Sequence, residues 1–244
     1  IVGTFEMFDA VKAGVFDAMH CFEVYWPGKI PVATFLSSYP FGLDRPDQWD
    51  TWYNSLGGKE IAREAYASHN MYWLGPIQHD DNLIHSKVPI RSIDDFRGRK
   101  MRLPGGMVAE LFQEAGAKTT LLPGSEIFPA LEKGTIDAAD YVGPAVNWDL
   151  GFGQVTKYIL FGPPGTMSIY QPVDLMDLTV NLRAWDRLGE KMQAFLEEQV
   201  YAYSLRHYIY IQKRNMETMT KFIESANVFS RLGTDDVAKF RQAA

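Results

Sequence analysis

Three observations predict an α/β fold of two similar lobes, with a hinge, a ligand cleft between the lobes and a long bracing helix near the C-terminus. Strand-like and helix-like segments alternate along the chain, a 13-residue stretch matches another 120 residues later, and one long stretch near the C-terminus contains neither Gly nor Pro. In the self-match, Glu6-Met7-Phe8-Asp9-Ala10-Val11-Lys12-Ala13-Gly14-Val15-Phe16-Asp17-Ala18 returns as Glu126-Ile127-Phe128-Pro129-Ala130-Leu131-Glu132-Lys133-Gly134-Thr135-Ile136-Asp137-Ala138. Each copy has apolar residues at helical spacing, then a glycine suited to the left-handed conformation that ends a helix, so each reads as a short helix leading into a strand. In the second copy Ser125 reads as the N-cap, and Pro129 falls early enough to be tolerated. A spacing of 120 residues is too long for a solenoid, whose periods run roughly 20–50 residues, and two related lobes fit better.

After each copy the chain reaches an aromatic, polar stretch, Tyr25-Trp26-Pro27-Gly28 and Asp140-Tyr141-Val142-Gly143-Pro144. Ligands in open α/β sheets sit beyond the carboxyl ends of strands, so both stretches are expected to face the cleft. Between the copies, Asp47 to Ser68 has helical spacing and Met71 to Pro76 reads as a buried strand. Ser92-Ile93-Asp94-Asp95-Phe96 starts a short helix with a capping-box-like pattern, stopped by Gly98. Lys100 to Leu103 reads as a strand ended by Pro104-Gly105-Gly106, Met107 to Ala115 as a helix closed by Gly116, and Thr119 to Leu122 as another strand. This alternation predicts a largely parallel, helix-covered sheet. From Glu190 to about Ala226 apolar residues keep helical spacing (Phe195, Val200, Tyr203, Leu205, Tyr208, Ile211), which predicts a single helix longer than one small lobe.

The 244 residues are 46% hydrophobic and 22% charged, enough to bury a core and far from the composition of disordered segments. A formal net charge of −6 argues against a nucleic-acid or anionic-membrane surface. The most apolar runs, such as Tyr158-Ile159-Leu160-Phe161, fall far short of the ~20 residues needed to span a bilayer. The single cysteine, Cys21, lies in an apolar run and reads as a small core hydrophobe.

Arg102 ends a strand just before a Pro-Gly-Gly turn, where a guanidinium could bind a carboxylate through two hydrogen bonds, or could equally be a surface Arg at a strand end. The run Gln78-His79-Asp80-Asp81-Asn82-Leu83-Ile84-His85 follows an apolar strand; its histidines are six apart, which matches no usual zinc spacing. It reads as a solvated loop, or as one that sends Asp80 or Asn82 into the cleft. Asp140, Tyr141, Asn147 and Gln171 are oxygen-rich and suit a hard cation such as Ca²⁺ or Na⁺ better than zinc or copper. No phosphate-binding glycine loop, Gly-x-Ser-x-Gly elbow or His-Glu-x-x-His pair occurs.

Taken together, Phe8-Asp9-Ala10-Val11-Lys12-Ala13-Gly14, Tyr25-Trp26-Pro27-Gly28-Lys29, Pro40-Phe41-Gly42-Leu43, Ser92-Ile93-Asp94-Asp95-Phe96-Arg97-Gly98, Lys100-Met101-Arg102-Leu103-Pro104-Gly105, Leu122 to Leu131 and Gly134-Thr135-Ile136-Asp137-Ala138 resemble the periplasmic solute-binding subunits of TRAP transporters, the DctP-like family. The resemblance covers nearly the whole chain and is nearest to the branch that binds 2-oxo and 2-hydroxy monocarboxylates such as pyruvate and lactate. It implies a periplasmic-binding-protein fold, a periplasmic location and membrane subunits as partners. Arg102 is then implied to bind the ligand carboxylate, and Tyr25 and Asn82 match positions that contact the acid; beside them Trp26, Asp80 and Asn147 are the further ligand contacts expected from the residues themselves. A metal ion, Ca²⁺ or Na⁺, would be held by the Asp140 carboxylate, the Tyr141 main-chain carbonyl and the Gln171 side-chain amide. The branch often has Glu-Trp where this chain has Asp140-Tyr141, which leaves the metal open.

The lobes are expected at 1–79 with about 173–190 and at 80–172, the long helix at 190–226 and a C-terminal segment at 227–244. The resemblance also implies a signal peptide and a first strand–helix–strand before Ile1, and an end beyond Ala244. Two other function classes remain: a metal-dependent enzyme acting on an oxo acid with His79 or His85 as general base, and the ligand-sensing domain of a receptor.

Overall fold

The structure is a computed structural model that describes residues 2–37, 39–164 and 166–244. Its chain forms two compact units, one from residues 1–38, 45–79 and 175–209 and the other from 39–44, 80–174 and 210–244. Among the described residues nine strands run β1 (Ala18–Cys21), β2 (Met71–Gln78), β3 (Ile84–Ser86), β4 (Lys100–Arg102), β5 (Lys118–Thr120), β6 (Ala138–Asp140), β7 (Tyr158–Phe161), β8 (Leu175–Asn181) and β9 (Val228–Arg231).

The first unit holds a three-stranded sheet in the order β1-β8-β2. Both pairings are antiparallel, with Cys21 and Pro76 flanking Asp177. Leu74, Ile77, Val180, Ala184, Trp185 and Val200 form a core on this sheet, and Tyr72 stacks on Trp185 with ring centroids 4.1 Å apart. Burying an aliphatic or aromatic side chain of this kind contributes about 1.5–3 kcal/mol, which offsets part of the entropy cost of ordering the sheet. Tyr53 stacks on Trp73, whose indole N–H donates to Glu23 Oε1 at 2.6 Å. Asp177, also fully buried, accepts from the Thr179 hydroxyl at 2.6 Å, and burial pushes its carboxyl up to about 7.

The second unit holds a six-stranded mixed sheet in the order β5-β4-β6-β3-β7-β9. Here β4 runs parallel to β5 and β6, β3 runs antiparallel to β6 and β7, and β7 runs parallel to β9. Phe96, Met101, Val108, Leu111, Phe112, Tyr170 and Phe240 are among the buried residues of one core cluster in this unit.

The expectation of a largely parallel sheet is thus corrected: one sheet is antiparallel throughout and the other mixed. In the first unit β8 arrives from nearly 100 residues further along the chain and inserts in reverse between β1 and β2, a pairing that alternation of local segments does not encode.

The repeat is visible in backbone detail. Helices Met7–Lys12 and Gly124–Glu132 precede Gly14 and Gly134, with φ of 75° and 72°. In both, the residue after the glycine donates back to the matching alanine, Val15 N to Ala10 O and Thr135 N to Ala130 O, each at 2.9 Å. These are the long bonds of a Schellman ending, which satisfy helix-terminal carbonyls and turn the chain into β1 and β6. The second helix begins at Gly124 after Pro123, so Ser125 lies inside it and is not its N-cap.

The 47–68 stretch is two helices, Pro46–Ser55 and Gly58–Ala67, broken at Gly57, whose φ of 91° no helix accommodates. Helix Met107–Glu114 ends before Gly116 as expected, and the short turn Ile93–Phe96 is 3₁₀. The long helix runs Glu190–Glu224, with 190–209 grouping with the first unit and 210–224 with the second. Among the described residues no helix is long and apolar enough to cross a membrane.

Candidate functional site

Strand pairing in the second unit brings several predicted residues to one end of its sheet. Arg102, the last residue of β4, lies beside Ala139, so Asp140, the last residue of β6, follows directly. Asp140 in turn pairs with Ile84, the first residue of β3, which places the preceding loop 80–83 at the same end. Asn82 ties the parts together, with its amide Nδ2 donating to Asp140 Oδ2 at 3.2 Å and its main-chain N–H donating to Gln171 O at 3.2 Å. Arg102, Asp140, Asn82 and Gln171 are all buried.

Arg102 is oriented by main-chain carbonyls, Nε to Leu122 O at 3.0 Å and Nη1 to Asp140 O at 2.8 Å, and its guanidinium stacks over the Tyr141 ring at 5.0 Å. These contacts fix the plane of a fork whose five donors suit a carboxylate. Burial pushes the Asp140 carboxyl up to about 7, with Arg102, Tyr170 and Asn82 pulling the other way. Desolvation outweighs the nearby cation because a buried carboxylate loses its hydration in full.

Several buried side-chain oxygens of this unit are short of donors. The Asp140 carboxyl faces the Tyr170 hydroxyl, and Asn82 Oδ1, Gln171 Oε1 and Asn147 Oδ1 are buried without a hydrogen-bond partner. Their other ends are tethered: Gln171 Nε2 donates to Asp174 Oδ1 at 3.2 Å, and Asn147 Nδ2 donates to Val142 O. An unsatisfied buried polar atom costs about 1–3 kcal/mol, so these oxygens are suited to take a partner. No group of three or more His, Cys, Asp or Glu side chains suited to a metal occurs among the described residues. One carboxylate with amide and main-chain oxygens is a donor set for a hard cation, and it fits Ca²⁺ or Na⁺ rather than zinc.

Asp80 serves the architecture beneath. Its Oδ1 accepts from Gly143 N at 3.1 Å and its Oδ2 from Asn215 Nδ2 at 2.6 Å, while Asn215 Oδ1 accepts from Ala145 N at 2.9 Å. This clamp holds the turn after Asp140 to the long helix. A Cβ at Gly143 would overlap the Asp80 carboxylate, so only glycine fits there.

Tyr25 and Trp26 belong to the first unit. Tyr25 is half-buried against Phe5 and Phe22, and Trp26 is fully buried beneath Phe8 with an unpartnered indole N–H. His79 sits in the same unit beside His207 and Phe22. His85 is sealed between Phe152 and Phe222 with both nitrogens unpartnered, and burial lowers it to about 3. A neutral, enclosed imidazole of this kind cannot serve as a general base for an outside substrate. Cys21 is buried and its thiol is pushed up to about 12, in keeping with a core hydrophobe.

Sequence reading missed Tyr170 and Asn215. Tyr170 had a signal in its place next to Gln171; Asn215 had one as a polar residue four after Ile211 on the buried stripe of the long helix.

The profile of the bacterial extracellular solute-binding proteins of family 7 (DctP) matches residues 1–244. A monocarboxylate 2-oxoacid-binding periplasmic protein of Nostoc sp. is 31% identical over 225 residues, covering 91% of this chain and 60% of that protein. The chain thus spans about three-fifths of the length of that curated relative. A TRAP transporter solute-binding protein from Bordetella bronchiseptica, with calcium and picolinate in its active site, is 28% identical with a TM-score of 0.87, over 99% of this chain and 70% of that one. A TRAP periplasmic solute-binding protein from Pseudoalteromonas atlantica, with bound sodium and pyruvate, is 26% identical with a TM-score of 0.86, over 98% of this chain and 71% of that one.

Proposed function

We infer that this chain, which belongs to the bacterial extracellular solute-binding protein family 7, captures a small 2-oxo or 2-hydroxy monocarboxylate in the periplasm and passes it to TRAP membrane subunits. The observation that carries this reading is the buried Arg102 held next to Asp140, in a unit where the side-chain oxygens of Asn82, Asn147 and Gln171 are buried without partners. The relatives that bind a 2-oxoacid, or pyruvate with sodium, support it.

Arg102 pairs with the acid's carboxylate. Its position is set before the ligand arrives by Leu122 O and Asp140 O, so little side-chain entropy is lost on binding. Asp140, the Tyr141 main-chain carbonyl and the Gln171 amide would hold a Ca²⁺ or Na⁺ ion. When bound, that ion neutralises Asp140 and attracts the oxygens of the acid. Asn82 orients Asp140, Gln171 is steadied by Asp174, and Asp80 keeps the turn at Gly143 in place. Asn147, tethered through Val142, offers its unpartnered oxygen toward a hydroxyl or a water of the ligand.

The test is a thermal-shift screen of C2–C6 oxo, hydroxy and dicarboxylic acids with calcium, with sodium and after chelation. A ligand that binds only the folded state stabilises it by RT ln(1 + [L]/Kd). The expected result is a shift with 2-oxo or 2-hydroxy monocarboxylates that depends on a cation. A shift with other acids regardless of metal would remove the cation from Asp140 and Gln171, and no shift with any acid would overturn the reading.

A further inference from the structure

We propose that the second unit carries a further binding site, for a small aromatic monocarboxylate, in a cavity between residues 41–44, the chain that follows β7 and the helix Thr234–Ala243. The cavity holds about 180 Å³, and its lining residues all belong to that unit. Arg102, Asn82, Asp140 and Gln171 are not among them. An apolar cavity of about 150 Å³ already accepts a benzene ring, so one ring and a short polar head fit this volume. Phe41, Pro163 and Pro172 line it together with the buried Ile169 and Tyr170. Flat rings of this kind favour a flat apolar guest.

The wall is set before a guest arrives. Phe41 has φ of 58°, in the left-handed region that a bulky side chain seldom adopts, and such strain persists where the surroundings fix it, as at ligand clamps. Its N–H donates to Tyr170 O at 2.9 Å, and Gly42 N–H closes the turn on Tyr39 O at 3.1 Å. A Cβ at Gly42 would overlap the Tyr39 ring, so this turn needs glycine beside Phe41. The polar end of the cavity selects an anion. Arg241, exposed near the end of its helix, lies over the Phe41 ring at 5.2 Å from the centroid. A guanidinium stacked on a ring keeps donors in its plane, and these suit a carboxylate. Ser168 Oγ, in the buried part of the wall, accepts from Tyr170 N at 3.3 Å and Gln171 N at 2.8 Å, which leaves its own proton to donate elsewhere. Asp44 also lines the cavity and is exposed, so it repels a second negative charge and favours one carboxylate over two. A guest of this size, with its ring buried and one charge paired, is expected to bind with Kd of about 0.1–1 mM.

The experiment is calorimetric titration of the full chain with potassium benzoate in chelator, repeated on Arg241→Gln, Val237→Phe and Arg102→Lys. The unaltered chain is expected to bind benzoate, and to bind phthalate, with its second carboxylate, at least about tenfold more weakly. Arg241→Gln should weaken benzoate about tenfold, because it removes charge-assisted hydrogen bonds at an exposed position. Val237 lines the cavity from the helix, so Val237→Phe should fill it and abolish binding. Arg102→Lys should leave benzoate affinity as it is, which separates this cavity from the site at Arg102. Circular dichroism and melting establish that each variant folds; Arg241, being exposed, gives a readout even where Val237→Phe does not fold. No benzoate binding up to about 20 mM, binding that Arg241→Gln leaves intact, or binding lost in Arg102→Lys would each overturn the proposal.

Discussion

Replacing Asp140 by Asn separates the cost of this carboxylate from its use. Burial raises its titration from 3.8 to about 7, so the folded state prefers the protonated acid. A group raised in this way contributes stability in full below its unfolded titration and loses it as pH rises through the folded value. The fold therefore weakens progressively from about pH 4 to about pH 7 and is flat above. At about 1.4 kcal/mol per pH unit, the ionised Asp140 costs on the order of 4 kcal/mol at about pH 8 when no cation is present. Asn has the same shape and no charge. Its carbonyl can accept from Asn82 where Oδ2 does now, and its NH₂ then takes the place of the other carboxyl oxygen, in the region of the Tyr170 hydroxyl. Metal-free Asp140→Asn is thus expected to melt several degrees above the unaltered protein at about pH 8, at about 2–4 °C per kcal/mol for a chain of this size, with a smaller gap at about pH 5. The same variant should lose the thermal shift that calcium or sodium produces. The assay is differential scanning fluorimetry in chelator and in each cation at both pH values. A metal-free variant less stable than the parent at the higher pH, or one that keeps its full cation response, would refute this account of Asp140.

Arg102→Lys keeps the charge but cannot donate to Leu122 O and Asp140 O while also facing a carboxylate, so affinity for the acid should fall about 100-fold by calorimetry at saturating cation; unchanged affinity would take Arg102 out of the ligand site. Asp80→Ala leaves Gly143 N–H and Asn215 without their acceptor, and urea unfolding should show a loss of about 3–5 kcal/mol; a loss below about 1 kcal/mol would mean that the clamp does not hold the turn. Asp177, in the other unit, is likewise raised to about 7 by burial, so it too weakens the fold between about pH 4 and pH 7. Asp177→Asn should flatten that part of the stability profile measured by chemical denaturation, and a profile as steep as the parent's would show that Asp177 is not its source.

What the sequence determined by itself is local or nearly so. The Schellman endings at Gly14 and Gly134 follow from helix spacing and a residue free to adopt positive φ, and the long helix follows from over thirty residues without Gly or Pro. Arg102 and Asp140 were legible because a strand ending in a turn delivers its last side chain beyond the sheet. Strand direction was not legible, since β8 joins β1 and β2 from far along the chain and the alternation of segments carries no record of which neighbours pair. Nor was the division of labour within the run from Gln78 to His85. Tertiary structure sends His79 to one unit, gives Asp80 the clamp, Asn82 the link between Asp140 and Gln171, and His85 a sealed core position. The physical reason is that a side chain's role depends on whether water, a donor or a hydrocarbon ring meets its polar atoms, and those neighbours come from segments up to 135 residues away, as Asn215 does for Asp80.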